Sequence, residues 1–127
     1  MISLGEVLFY HTAFIERYGG IDGVRDEGSL LSALARPFMT FDQQDLYPTP
    51  NGKAAAIFES MVINHPFLDG NKRIAFFLLR LILLDYDVDV SVTEDEKYDF
   101  TIAASMGELD FDKIKAWIDS KLINISL

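Results

Sequence analysis

Apolar residues recur at three- and four-residue intervals through Leu4, Val7, Leu8, Phe14 and Ile15, the repeat of one helix face. Ser3 and Glu6 stand ahead of this run at capping-box spacing, and Gly19-Gly20 follow it, so a first helix is predicted over residues 4–17. Ile21 to Asp26 reads as loop. Leu30, Leu31, Ala33 and Leu34 then mark a short helix that Pro37 ends. Signals are mixed from Phe38 to Gly52, where Pro48, Pro50, Asn51 and Gly52 favour turns, so residues 38–52 are expected to form a long exposed loop that contacts a target.

A third helix is predicted over Lys53–Asn64, rich in helix formers, and Pro66 should stop it at Asn64 or His65 because proline disfavours helical backbone in the residue before it. Ile74 to Leu84 is apolar on every face, the pattern of a central helix, here over about residues 71–85 with Asn71 or Asp69 as its cap. Val88 to Val92 alternates like one short extended segment. Thr93 and Glu96 repeat the capping-box spacing and open a helix ending near Gly107, while Asp110 caps a last amphipathic helix through Phe111, Ile114, Trp117, Ile118 and Leu122. The expectation is an all-α domain of about six helices spanning residues 1–127.

Composition narrows the function classes. The net charge of −9 opposes binding to nucleic acid phosphates or to anionic membranes, and no direct nucleic acid partner is expected. The most apolar stretch, Ile74–Leu84, is interrupted by Arg80 and is far shorter than the roughly 20 residues of a membrane span. With no cysteine, disulfides, thiolate zinc sites and cysteine nucleophiles are excluded. The first residues lack the pattern of a signal peptide, so a cytoplasmic location is expected.

The chemistry concentrates in His65-Pro66-Phe67-Leu68-Asp69-Gly70-Asn71-Lys72-Arg73, between one helix end and the next helix start. A helix start offers unpaired amides and the positive end of the macrodipole, so a polyphosphate at Gly70, Asn71, Lys72 and Arg73 meets ready donors. Lys72 and Arg73 add cationic charge, and Gly70 permits close backbone approach. Asp69 would repel phosphate but suits a magnesium ion, which takes one or two carboxylates and fills its shell with water and phosphate oxygens. An imidazole can accept a proton at neutral pH, so His65 suits a general base acting on a hydroxyl. Phe67 is the expected core anchor of the loop. Each residue alone has a structural reading: a cap, a turn, a solvated cation pair.

Together the nine residues resemble the Fic/Doc signature, His-x-Phe-x-(Asp/Glu)-(Ala/Gly)-Asn-(Gly/Lys)-Arg, with every specified position filled. The resemblance extends through Arg17-Tyr18-Gly19-Gly20, Asp26, Gly28, Ser32-Ala33-Leu34, Arg36-Pro37, Leu46-Tyr47-Pro48-Thr49 and Lys53-Ala54-Ala55, which look like the death-on-curing (Doc) branch, and it fades beyond Tyr86. It implies a helical fold with His65 as general base toward a protein hydroxyl, Asp69 as magnesium ligand, and Gly70, Asn71, Lys72 and Arg73 around the phosphates of ATP.

Fic enzymes that transfer AMP carry glycine where this chain has Lys72 and a second arginine where it has Phe76. The Doc branch carries the lysine and phosphorylates a threonine of elongation factor Tu, which stops translation. The resemblance therefore implies Ser/Thr phosphorylation first, AMP transfer second, and a catalytically silent binding module third. The self-inhibitory motif of many Fic proteins, (Ser/Thr)-x-x-x-Glu-(Gly/Asn), finds no match, so the implied control is a Phd-type antitoxin.

Overall fold

The computed structural model describes residues 1–126. Their order is α1 (Leu4–Tyr18), α2 (Glu27–Ala35), a 3-10 turn (Arg36–Phe38), β1 (Thr40–Phe41), β2 (Gln44–Asp45), α3 (Pro50–Asn64), α4 (Asn71–Leu84), β3 (Val88–Val90), α5 (Glu94–Ser105), α6 (Phe111–Lys121) and β4 (Leu122–Asn124). The architecture is mostly α, with two small antiparallel ladders at its edges.

Local chemistry explains the helix starts. Ser3 and Glu6 form a reciprocal capping box, as do Thr93 and Glu96, and the Asp110 carboxylate accepts from the Lys113 amide. The centre is the antiparallel pair α3 and α4, where Ile57, Phe58, Met61, Ile74, Leu78, Leu79 and Ile82 are buried. Phe58 stacks on Phe100, and Phe100 stacks on Trp117 at 3.7 Å between centroids, which fastens α5 and α6 to this pair. No helix among the described residues is long and apolar enough to cross a membrane.

Four expectations are corrected. The 38–52 segment is not one loop: Thr40–Asp45 folds into a hairpin, with Asp42 and Gln43 at positive φ, and Pro50 begins α3 three residues before Lys53. Pro50 fits because the first turn of a helix does not need its amide hydrogen, and Thr49 caps it by accepting from the Gly52 amide. Leu122 is not helical but belongs to β4, which pairs with the extended segment at Val88–Val90. Neither Asp69 nor Asn71 caps α4; Gly70 occupies that position in the left-handed conformation, φ 76°, with no side-chain cap, and Asn71 is the first helical residue.

Candidate active site

Pro66 forces α3 to stop, and His65 closes the helix in the left-handed conformation (φ 47°, ψ 60°). A non-glycine residue keeps that backbone only when its surroundings hold it. Here Arg25 does so: its Nε donates to the His65 carbonyl at 2.7 Å and its second nitrogen to the Asn64 carbonyl, placing a cation on the negative end of α3. The Pro66 carbonyl accepts from the Arg25 and Asp26 amides at 2.8 and 3.0 Å, and the Leu68 amide donates to the Gly23 carbonyl at 3.0 Å. The 20–26 segment thus straps the motif loop along its outer side.

The inner side is closed by Asn71. Its Oδ1 accepts from the Phe67 amide at 2.9 Å and its Nδ2 donates to the Phe67 carbonyl at 3.0 Å. Each polar end of the side chain thus makes one bond to the loop, and one Nδ2 hydrogen is left over. Asn71→Ala is expected to destabilise the fold by about 3 kcal/mol, since two buried backbone groups lose partners at about 1–3 kcal/mol each. Chemical denaturation measures it. Phe67 is 1% exposed and belongs to the buried core beneath the loop.

His65, Asp69, Gly70, Asn71, Lys72 and Arg73 all border one cavity of about 880 Å³, roomy for a nucleoside triphosphate. Asp69 is set by backbone: Oδ1 accepts from the Gly70 amide at 2.9 Å and Oδ2 from the Ile21 amide at 3.3 Å. Gly20 makes room for it, because a Cβ there would lie 2.8 Å from Asp69 Oδ2. The Arg73 guanidinium lies over the Tyr18 ring at 4.0 Å, a cation–π contact that aligns it without neutralising its charge. Among the described residues no three His, Asp or Glu side chains gather as a metal site. The Asp69 carboxylate at the helix tip is an oxygen donor of the kind magnesium takes and would hold that ion here.

The far wall holds residues that motif reading missed. Arg80 and Lys97 bring the lining to four cations, with Lys72 and Arg73, against the two carboxylates of Asp69 and Glu94. In a chain of charge −9 the cavity is a local cationic exception. Arg80 could have been suspected, being the one charge inside the apolar run; Lys97 and Arg25 carried no sequence signal. Arg80 is pinned by a two-pronged pair with Asp89, at 3.0 and 2.8 Å.

Burial acts to raise the Asp89 carboxyl, but the Arg80 hydrogen bonds, the Val90 amide and the Arg80 charge outweigh it and hold the group below the ordinary carboxylate range. The native state thus binds the Asp89 proton more weakly than the unfolded chain. The resulting stability is complete above the unfolded value near 4 and is lost as pH falls through the lower folded value. A stability-against-pH curve of wild type should show this loss on the acid side of about pH 4. Asp89→Asn, which cannot titrate, should flatten that part of a stability-against-pH curve.

Comparison with known proteins agrees with this geometry. The family model described as Fic/DOC family matches residues 1–83, the span from α1 through nearly all of α4. A protein named Toxin Doc from Mycolicibacterium smegmatis is 42% identical over 84 residues, covering 61% of this chain and 65% of the relative, so the chain matches less than two thirds of that protein's length. The matched span contains the strap, the motif loop and the helix tip that build the cavity, and on that ground the chain belongs to the Fic/DOC family.

Proposed function

We propose that this chain is the toxin of a toxin–antitoxin pair and transfers the γ-phosphate of ATP to a Ser or Thr hydroxyl of a target protein. Elongation factor Tu is the target implied by the likeness to Doc, and a Phd-type antitoxin is the implied control. The observation that carries the reading is that a histidine, a carboxylate and a cationic helix start share one cavity. Similarity to a relative named Toxin Doc supports the toxin role.

In the proposed reaction the target hydroxyl oxygen forms a bond to the γ-phosphorus, and the bond from that phosphorus to the bridging oxygen breaks. ADP leaves with the electron pair, and the hydroxyl proton passes to a ring nitrogen of His65. The amides at the tip of α4, with Lys72 and Arg73, hold the phosphate oxygens and face the charge that develops on them. Asp69 would hold magnesium, which neutralises phosphate charge when bound.

Phosphate transfer is preferred to AMP transfer because of Phe76. AMP-transferring relatives carry an arginine at that place, whereas Phe76 is 7% exposed, edge-on to Phe58 and Trp117, and has no anion-binding group to offer. Lys72 adds bulk and charge where those relatives have glycine. Incubation with elongation factor Tu and ATP labelled at the α- or the γ-phosphorus tests the choice. Label should transfer from the γ position alone; transfer from the α position alone would replace phosphorylation by AMP transfer.

A further inference from the structure

Outside the motif, α1 carries a buried histidine that faces the motif loop. We infer that His11 is a positioning residue that fixes the Asp69-Gly70 peptide plane, and through it the anion-facing tip of α4; the inference rests on the phosphate-transfer reading of that site. His11 is 1% exposed, and its ring lies flat against Phe67, 3.7 Å between centroids and 8° between planes. Its Nε2 is 2.7 Å from the Asp69 carbonyl oxygen. That oxygen only accepts, so Nε2 carries a proton and donates it. Nδ1 faces Asp22 Oδ1 at 3.3 Å, and the other Asp22 oxygen accepts from the Thr12 hydroxyl at 3.0 Å.

The need for such a grip follows from Gly70. Its φ is 76°, and glycine takes positive and negative φ about equally well, so the residue that permits this turn does nothing to keep it. The peptide plane between Asp69 and Gly70 is the part free to turn over. His11 holds its carbonyl end, while the Asp69 carboxylate receives its amide end. A flipped plane would withdraw the Gly70 amide from Asp69 Oδ1, take the Asp69 carbonyl from His11 and shift the backbone that begins α4. A buried histidine present only to fill space would be replaced without loss by phenylalanine, which has similar size and keeps the stack on Phe67.

The test compares full-length wild type with His11→Phe, His11→Gln and His11→Asn. Nitrogen NMR of the wild-type imidazole should show a protonated Nε2. In ligand-free protein His11→Phe should move the Gly70 amide resonance, and γ-labelled transfer should fall by about a hundredfold, the order expected of a displaced reacting geometry. His11→Gln, whose amide nitrogen reaches the Nε2 position, should bring both readouts back toward wild type, whereas the shorter His11→Asn should not. An unprotonated Nε2 would overturn the inference, as would a folded His11→Phe with the Gly70 resonance unmoved. Should His11→Phe fail to fold, equal Gly70 resonances in the Gln and Asn variants would overturn it instead. Wild type that transfers no label at all contradicts the proposed function, while the Gly70 resonance still decides the role of His11.

Discussion

His65→Ala is expected to remove the growth arrest caused by expressing the protein and to slow γ-phosphate transfer by about 10²–10⁴-fold, the range contributed by a positioned general base. The same substitution should barely move the melting temperature. His65 is exposed, its backbone is held by Arg25 through carbonyl oxygens that every residue possesses, and its side chain makes no hydrogen bond among the described residues. That contrast separates chemistry from folding. A variant that stays folded yet still arrests growth and transfers label at the wild-type rate removes His65 from the reaction.

Phe67→Ala should do the reverse. It empties a fully buried site between the motif loop and α1 and takes away the surface on which His11 stacks, so a loss of about 3–5 kcal/mol is expected. For a chain of this size that corresponds to a melting temperature lower by roughly 10–20 °C. Phosphate transfer should fall with it even at temperatures where the variant remains folded, because the loop that presents His65 and Asp69 loses its anchor. A melting temperature within about 3 °C of wild type would show that the loop is held by its strap alone.

Much of this was legible in the chain because the governing signals are local. The capping boxes at Ser3 and Thr93, the stop imposed by Pro66, the all-round apolar helix and the nine-residue motif each express their physics within a few neighbouring residues. What was hidden depends on residues distant in sequence. The ladder of β3 and β4 joins Val88 to Asn124 and pulls Leu122 out of the helix its hydropathy suggested. Arg25 meets the end of α3 some 40 residues away, and His11 meets Asp69 across 58. On paper either residue is indistinguishable from an ordinary helix or loop polar residue.

Asn71 shows a subtler limit. Its place before an apolar run suggested a cap, yet Gly70 takes that position and the Asn71 side chain bonds back to Phe67 at both ends. The reason is that α4 starts one residue earlier than a cap at Asn71 requires. Gly70 can take the left-handed turn that a side-chain cap would otherwise stabilise, so α4 begins without a side-chain cap.

The central claim is that the tip of α4 and the ring of His65 receive one ligand together. Titration of the isotopically labelled protein with magnesium and a non-hydrolysable ATP analogue, followed by amide and histidine NMR, tests it most directly. Saturable shifts should concentrate on the amides of Gly70, Asn71 and Lys72 and on the His65 ring. Saturable shifts confined to another surface, or none at analogue concentrations well into the millimolar range, would contradict the account.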